Sequence, residues 1–311
     1  MYIMIKNYVL KLMENLPENI TTSKTPMKID LIMSGGAFNG SYILGSLFFL
    51  KEMEKKNYLT IKRISTCSIS SIIALLYLTD NLDKANELYF LFKKEFSNKF
   101  NFSKLLSIKD ILKNIIKPDD YIILNKKLYI SFNDVSSLKK HVVCKFKDNN
   151  HLFDIIIRSC FLPFLIDYNP CYKDKYMDGI TPYFFKKKQN NSLTSSNRRR
   201  IYLDVCTLDK LFYAISVKNE KTNYHRLFEG LLDIHKFFIK NCNTTICSDL
   251  DKWSMYNYLL YYIWIFIEKL LVYFICFINK IKSYSLFSKK YKYFKKNIGK
   301  MIKFFLLNQC L

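Results

Sequence analysis

Three short segments carry residue types and spacings that could do chemistry. The first, residues 34–40, reads Ser-Gly-Gly-Ala-Phe-Asn-Gly and follows a short apolar run at residues 29–33. Paired glycines allow a tight turn whose backbone N–H groups point into open space. Where such a turn opens a helix, these N–H groups favour a negative charge. The segment predicts an oxyanion hole or a phosphate cradle, although a plain strand-to-helix turn has the same composition.

The second segment, residues 66–70, reads Thr-Cys-Ser-Ile-Ser and also lies between a predicted strand and a predicted helix. A serine on such a turn presents its hydroxyl at the carboxyl end of the sheet. There the N-terminus of the following helix favours a developing alkoxide. Ser68 is therefore a candidate nucleophile, and helix capping is the alternative role for a serine at this position.

The third segment places Asp178 before Gly179, directly after a predicted short strand at residues 172–177. An Asp-Gly pair after a strand is a common turn, so the pair alone says little. Its value comes from its order along the chain, behind the glycine turn and behind Ser68. Together, the three segments offer oxyanion donors, a nucleophile and a carboxylate base.

Taken in order, these segments resemble the patatin-like phospholipase family. That family has an oxyanion loop of the form (Ser/Asp)-Gly-Gly-Gly-x-(Arg/Lys)-Gly, then Gly-x-Ser-x-Gly, then Asp-Gly-Gly or Asp-Gly-Ala. A fourth stretch, Arg-Ser-Cys-Phe-Leu-Pro at residues 158–163, is similar to the family's Ala-Ser-x-Ala-x-Pro. The resemblance covers roughly residues 28–205.

The resemblance implies a lipid acyl hydrolase that cleaves the carboxylic esters of phospholipids or other acyl lipids, as a phospholipase A does. Ser68 would be the nucleophile and Asp178 the proton acceptor of a catalytic dyad. The backbone N–H groups of Gly35, Gly36 and Ala37 would hold the oxyanion. This chemistry implies neither a cofactor nor a metal ion.

Five positions depart from the family's pattern. Ala37 replaces the third loop glycine and Asn39 replaces the basic residue, while Thr66 and Ser70 replace the glycines around Ser68. Ile180 replaces the second residue after the aspartate. These departures motivate an alternative function, that of a catalytically degenerate relative that binds membranes or lipids.

The elements around the segments indicate an α/β domain. A strand at 29–33, a helix at 41–55, a strand at 61–67 and an apolar helix at 69–78 form a βαβα pattern, which favours a parallel sheet covered by helices. Further predicted elements are amphipathic helices within 81–118, a helix at 152–160, strands at 127–132, 141–146 and 200–206, and an exposed polar loop at 186–200. With the resemblance, the expected fold is a three-layer α/β/α domain with a mostly parallel sheet and a helical, basic C-terminal extension. The expected divisions are an N-terminal helix and linker (1–27), a catalytic core (28–205), a helical continuation (206–250) and the extension (251–311).

The formal net charge of +23 predicts a polyanionic partner, either nucleic acid or anionic lipid. No nucleic-acid-binding motif occurs, and the lysines of residues 280–311 alternate with bulky apolar residues. We therefore expect an anionic membrane surface and a lipid substrate as partners, and no nucleic acid. The nine cysteines show no paired spacing, and charges interrupt the first twenty residues, so we expect free thiols and no signal peptide. The expected location is intracellular, at the cytoplasmic face of membranes.

The C-terminal segment allows three arrangements. Two apolar runs, residues 258–267 and 270–278, flank Glu268 and Lys269. A spanning helix needs about 20 apolar residues, and each central charge would cost about 2.5–3.5 kcal/mol. The basic and aromatic tail is typical of a helix that lies in the membrane surface, which we favour. Packing on the domain and a single C-terminal span are the alternatives. The sequence assigns no acyl chain, head group or oligomeric state.

Overall fold

A computed structural model of the chain describes residues 2–186, 198–207, 209–217 and 220–283, together with Asn297, Lys300, Met301 and Phe304. Most of the loop predicted at residues 186–200, and the tail beyond residue 283 apart from those four residues, lie outside the described part of the chain.

The strands are short, and the central ones are buried on both faces, as parallel strands covered by helices must be. In the first strand, residues 29–33 are all buried. The described residues form seven strands: β1 (Met27–Met33), β2 (Leu59–Cys67), β3 (Leu128–Asp134), β4 (Lys139–Val143), β5 (Tyr176–Asp178), β6 (Arg199–Leu203) and β7 (Cys247–Asp249).

The strands form one sheet in the order β4-β3-β2-β1-β6-β7. Strands β1, β2, β3 and β6 are mutually parallel, whereas β4 and β7 run antiparallel at the two edges. The short strand β5 also pairs antiparallel with β3. The mostly parallel sheet predicted from the βαβα pattern is thus confirmed.

Helices cover the sheet in an α/β/α arrangement. The helix at Gly40–Lys55 packs against the helices at Tyr224–Lys240 and Tyr2–Met13, while the helix at Asn149–Cys160 packs on β3 and β5. The described residues form ten α-helices: α1 (Tyr2–Met13), α2 (Glu18–Thr21), α3 (Gly40–Lys55), α4 (Ile69–Leu78), α5 (Ala85–Lys99), α6 (Ile108–Lys113), α7 (Asp120–Leu124), α8 (Asn149–Cys160), α9 (Tyr224–Lys240) and α10 (Met255–Ser283). Short 3-10 segments lie at Ala37–Asn39, Leu82–Lys84, Ser103–Ser107, Phe212–Ala214 and Leu250–Lys252.

Helices α3 and α9 approach each other unusually closely at two glycines. A methyl group added at Gly45 would lie 1.9 Å from the carbonyl oxygen of Leu227, and one added at Gly230 would lie 1.9 Å from that of Tyr42. The Ser46 hydroxyl donates a hydrogen bond of 2.9 Å to the carbonyl of Gly230. Only glycine permits this backbone contact, which fixes α3 relative to the rest of the domain.

Helix α10 forms the C-terminal extension within the described residues. Its 29 residues correspond to about 43 Å at 1.5 Å per residue. By length and composition it could cross a membrane, since its mean hydropathy reaches 1.8, but 22% of that apolar window is buried against the protein. Val272 and Ile275 pack with Val135 and Met177 in a small cluster of their own, so α10 lies along the domain near β5.

Candidate functional site

Ser68 occupies a strained turn between β2 and α4. Its backbone has φ 57° and ψ −139°, a conformation that non-glycine residues rarely adopt. Such a conformation costs on the order of 1–3 kcal/mol and persists only where the surroundings impose it. The sharp turn puts the side chain of Ser68 at the carboxyl edge of the parallel strands, where open α/β sheets bind ligands.

The turn at Ser68 is held by the end of α8. The backbone N–H of Ser68 donates both to the carbonyl oxygen of Ser159, at 3.1 Å, and to its Oγ, at 3.0 Å. The Ser159 hydroxyl in turn donates to the carbonyl of Ser131 on β3, at 2.7 Å. The stretch at residues 158–163 therefore braces the candidate nucleophile. The sequence of this stretch alone indicates no role for Ser159.

Two hydroxyl residues stand where the family has glycine around the serine, and both are buried with their hydroxyls hydrogen-bonded. The Ser70 hydroxyl donates to the carbonyl of Cys67 at 2.7 Å and accepts from its N–H at 3.2 Å. The Thr66 hydroxyl lies 3.2 Å from the carbonyl of Tyr129. The added Cβ atoms and hydroxyls are thus accommodated without displacing Ser68 from the turn.

The register of the sheet brings Asp178 to Ser68. Strand β2 ends with Cys67 opposite Ser131 of β3, and β5 ends with Asp178 opposite Phe132, the next residue of β3. Because β5 runs antiparallel to β3 and β2 runs parallel to it, the two strands meet end to end along the same side of β3. Their last residues are neighbours, so the chain places Ser68 and Asp178 side by side.

The Asp178 carboxyl is buried, with 1% of the residue exposed. Its Oδ1 accepts a hydrogen bond of 2.7 Å from the N–H of Ile180. Burial is the main cause that raises the pKa of Asp178 to about 7, against the lowering effects of the Ser68 hydroxyl and the Ile180 N–H. Oδ2 has no hydrogen-bond partner among the described residues. The carboxyl thus adjoins Ser68 and keeps one oxygen free to accept a proton.

The glycine loop packs directly on the serine. A methyl group added at Gly35 would come within 2.8 Å of Cβ of Ser68. Gly36 has φ 147° and Ala37 has φ 46°, so two successive residues adopt positive φ. Among the described residues, none accepts a hydrogen bond from the backbone N–H groups of Gly35, Gly36 or Ala37. The loop therefore offers free donors beside the hydroxyl.

The family model described as patatin-like phospholipase matches residues 31–181. The chain contains a patatin-like phospholipase domain. The match includes the glycine loop, Ser68 and Asp178, and it ends before α9 and α10. A comparison with the curated proteins finds no match to the chain. The family is one of lipid acyl hydrolases.

In this patatin-like domain, Asn39 takes the place of the family's basic loop residue and lies at the centre of a buried polar network. Its Nδ2 donates to the carbonyl oxygens of Val205, at 3.0 Å, and Lys210, at 2.8 Å. Its Oδ1 accepts from the guanidinium of Arg226, at 2.5 Å. Arg226 lies on α9, is fully buried and forms an ion pair of 2.6 Å with Glu220. A charged group from outside the matched segment thus supports the loop, and no sequence motif pointed to it.

An apolar cavity extends from Ser68 into the patatin-like domain. Its free volume, counted as the space that water-sized groups can reach, is about 80 Å³, and the cavity is partly open to solvent. None of the described residues that line it carries a charge, and aliphatic and aromatic side chains from α4 and α5, such as Ile73, Leu88 and Phe92, form its walls. A cavity with this lining accommodates a hydrocarbon chain better than any polar group.

Proposed function

We propose that the protein is a lipid acyl hydrolase that cleaves carboxylic esters through a dyad of Ser68 and Asp178, as a phospholipase A does. The observation that carries the proposal is the end-to-end meeting of β2 and β5, which sets these two side chains side by side. The free N–H groups of the glycine loop and the apolar cavity at Ser68 support it.

In the first half of the reaction, the Ser68 hydroxyl attacks the ester carbonyl and its proton passes to the Asp178 carboxylate. The carbonyl oxygen becomes an oxyanion, which the N–H groups of Gly35, Gly36 and Ala37 stabilise. One such donor is worth roughly 2.7–4 kcal/mol in other hydrolases. The C–O bond to the alcohol then breaks, Asp178 returns the proton to the departing oxygen, and the acyl group stays on Ser68.

In the second half, water attacks the acyl-enzyme and gives its proton to Asp178. The second oxyanion uses the same donors. As it collapses, the bond from the acyl carbon to Oγ of Ser68 breaks, Asp178 returns its proton to Oγ, and the fatty acid is released. A base with a pKa of about 7 is well matched to this task at neutral pH, because about half of it is ionised there and the carboxylate can be protonated transiently.

Helix α10 supports docking on a membrane surface, where the lipid substrate resides. Its exposed side carries large apolar residues at spacings of three and four, the period of one helical face. These are Leu259, Tyr262, Phe266, Leu270, Tyr273 and Phe277. The opposite side contacts the domain, so the helix is suited to lie in the surface of the bilayer. With the net charge of +23, an anionic cytoplasmic leaflet is the proposed partner.

The proposal is tested by labelling the purified protein with a fluorophosphonate probe in the presence of anionic vesicles. We expect covalent labelling of the wild type at Ser68, and none in Ser68→Ala or Asp178→Asn, with folding checked by circular dichroism. The matched control, Ser254→Ala, removes an exposed hydroxyl at the start of α10 and should label like the wild type.

A folded wild type that resists the probe would contradict the hydrolase proposal. The result would favour the degenerate, lipid-binding alternative, for which Ala37, Thr66 and Ser70 in place of family glycines are the supporting observation. Equal lipid binding by the wild type and Ser68→Ala, without turnover of any ester, would complete that case.

A further inference from the structure

The apolar helix α10 carries a buried acid in its middle. Glu268 is 3% exposed, although the residues on either side of it, Ile267 and Lys269, are exposed. An isolated carboxylate costs several kcal/mol to bury, so an acid is retained in such a place only with partners. The position of Glu268 identifies the side of α10 that faces the catalytic domain.

Glu268 is paired on both of its oxygens. Oε1 accepts a hydrogen bond of 2.7 Å from Nδ2 of Asn133 on β3. Oε2 accepts one from the ammonium group of Lys140 on β4, at 2.9 Å, and another from the hydroxyl of Thr181. The ammonium group of Lys140 also donates to the carbonyl oxygen of Thr181, at 2.5 Å. We call these four residues the Glu268 cluster.

The Glu268 cluster lies next to the catalytic loop. The same Nδ2 atom of Asn133 that bonds Glu268 also donates to the backbone carbonyl of Asp178, at 2.9 Å. Thr181 follows Asp178 by three residues. Asp178 at the start of the turn after β5 is bonded by Asn133, and Thr181 at its end is bonded by Glu268 and Lys140. Both ends of the turn therefore depend on the Glu268 cluster. Gly179, between them, has no room to shift inward, because a methyl group there would lie 2.3 Å from the carbonyl of Ser131.

We propose that Glu268 is a positioning residue through which α10, the membrane-docking helix, holds the Asp178 loop in its reactive geometry. The inference rests on the proposed function and extends it, because it makes the attachment of α10 to the domain a condition for turnover. No other carboxylate lies within hydrogen-bond distance of Lys140 or Asn133 among the described residues, so none of these can substitute for Glu268.

The charges near Asp178 predict how the pH dependence of the rate should change in variants of the Glu268 cluster. Glu268 raises the pKa of Asp178 and Lys140 lowers it, both as lesser causes beside burial. The other titratable groups that face Asp178 are the thiols of Cys67 on β2, Cys160 on α8 and Cys206 in the loop after β6, whose pKa values are raised by burial. Since the dyad needs an ionised Asp178, the acidic limb of the rate profile follows the pKa of this residue.

The experiment compares Glu268→Gln, Lys140→Gln and the wild type on a soluble short-chain ester across pH 5–9. The control is Lys269→Gln, which removes a charge from the next residue, on the exposed side of α10. Glu268→Gln should lower kcat roughly tenfold, because glutamine can accept from Asn133 but not also from both Lys140 and Thr181. The acidic limb of the rate profile of Glu268→Gln should move to lower pH. The acidic limb of Lys140→Gln should move to higher pH, and the limb of the control should stay where it is in the wild type. Binding to anionic vesicles should be unchanged in Glu268→Gln.

The opposite shifts test whether both charges act on Asp178, which a general loss of stability would not produce, and the fall in kcat tests the positioning of the Asp178 loop. The proposal is overturned if Glu268→Gln keeps the kcat and limb of the wild type, or if both variants shift the same way. Should Glu268→Gln not fold, amide hydrogen exchange of residues 178–181 in Lys140→Gln decides: faster exchange than in Lys269→Gln supports the cluster, and equal exchange overturns it.

A second readout separates this inference from the proposed function. If the wild type turns over no ester, the hydrolase proposal fails, and amide hydrogen exchange of residues 178–181 tests the cluster instead. Faster exchange in Glu268→Gln than in Lys269→Gln supports the positioning role, and equal exchange rejects it.

Discussion

At the scale of single residues, the candidate dyad combines two unfavourable states. Ser68 holds a backbone φ of 57°, and Asp178 is a carboxyl with almost no exposure and a pKa near 7. Both states cost stability, and neither improves the packing of the core. Backbone strain and a buried carboxyl on two adjoining residues are typical of an active site, because the geometry and pKa that reactivity requires also lower the stability of the fold.

The burial of Asp178 predicts that Asp178→Asn stabilises the protein at high pH. Its folded-state pKa of about 7 exceeds the ordinary 3.8, so the unfolded chain ionises first. Wild-type stability is therefore greatest below the unfolded pKa and falls as pH rises towards 7. At 1.36 kcal/mol per pKa unit, the penalty at pH 8 is on the order of 4 kcal/mol at most. Asparagine carries no charge, so Asp178→Asn does not lose this stability at high pH.

The measurement is urea denaturation of the wild type and Asp178→Asn at pH 4.5 and pH 8. We expect the variant to be the more stable at pH 8, and the difference to shrink towards pH 4.5. The control, Asp110→Asn, changes an exposed aspartate of α6 and should stay within about 0.5 kcal/mol of the wild type at both pH values. A variant that gains nothing between the two pH values would show that Asp178 is ionised in the folded protein at ordinary cost.

Sequence reasoning could name Ser68, Asp178 and the glycine loop, because these residues belong to local patterns that a short stretch of chain displays. It could not assign the supports of the site. Arg226 lies 187 positions from Asn39, and Ser159 lies 91 positions from Ser68. Such contacts depend on how whole elements pack, and the local sequence around either residue does not indicate its partner.

At the scale of elements, the helices and strands around the motifs follow from hydrophobic pattern. The helix predicted at residues 69–78 is α4 (Ile69–Leu78), and the strands predicted at 29–33 and 61–67 lie within β1 and β2. Strand β5 differs: the prediction at residues 172–177 becomes a three-residue strand, Tyr176–Asp178, antiparallel in a mostly parallel sheet. Its register decides the geometry of the dyad, and three residues are too few to carry a pattern that fixes a register.

The crossing of α3 and α9 predicts a large effect from the smallest substitution. In Gly45→Ala, the added methyl group would meet the carbonyl oxygen of Leu227 at 1.9 Å, so the two helix backbones must separate. Overpacking of this kind costs about 1–3 kcal/mol, which exceeds the roughly 1 kcal/mol that alanine gains in helix propensity. Because α3 begins directly after the glycine loop, labelling at Ser68 should also slow.

Chemical denaturation and the rate of fluorophosphonate labelling measure the two effects of Gly45→Ala. Lys236→Ala, an exposed substitution on α9, is the control and should change neither quantity appreciably. Unchanged stability in Gly45→Ala would mean that the helices can separate without cost and that the contact does not fix the position of the loop.

At the scale of the whole molecule, the contacts of α10 bear on two of the three arrangements predicted for it, packing on the domain and lying in a membrane surface. One side is attached along its length. Asn279 donates to the carbonyl of Asp174 at 2.7 Å near the C-terminal end, Glu268 anchors the middle, and the ring of Tyr261 stacks on Phe184 at 4.0 Å near the N-terminal end. The other side exposes a continuous apolar stripe. Packing on the domain and lying in a membrane surface are thus compatible, each using a different side of the helix.

This two-sided arrangement predicts that the exposed stripe determines membrane affinity without affecting the chemistry. Phe266 and Phe277 are 60% and 62% exposed, on the same side of α10. Full burial of an aromatic side chain is worth about 1.5–3 kcal/mol, so losing two rings should weaken binding to anionic vesicles at least roughly tenfold, even if each ring inserts only in part. Phe266→Ser/Phe277→Ser should therefore bind vesicles weakly and still hydrolyse a soluble ester at the wild-type rate.

Vesicle co-sedimentation at several salt concentrations measures the affinity, and a soluble-ester assay measures the chemistry. Ile122→Ser/Ile123→Ser removes two exposed apolar side chains from α7 and is the matched control, with unchanged binding expected. Binding should also weaken as salt rises, because the net charge of +23 acts over a Debye length of about 8–10 Å at physiological salt. Equal binding by the two double variants would mean that another surface carries the membrane contact, and equal binding to neutral and anionic vesicles would remove the role of charge.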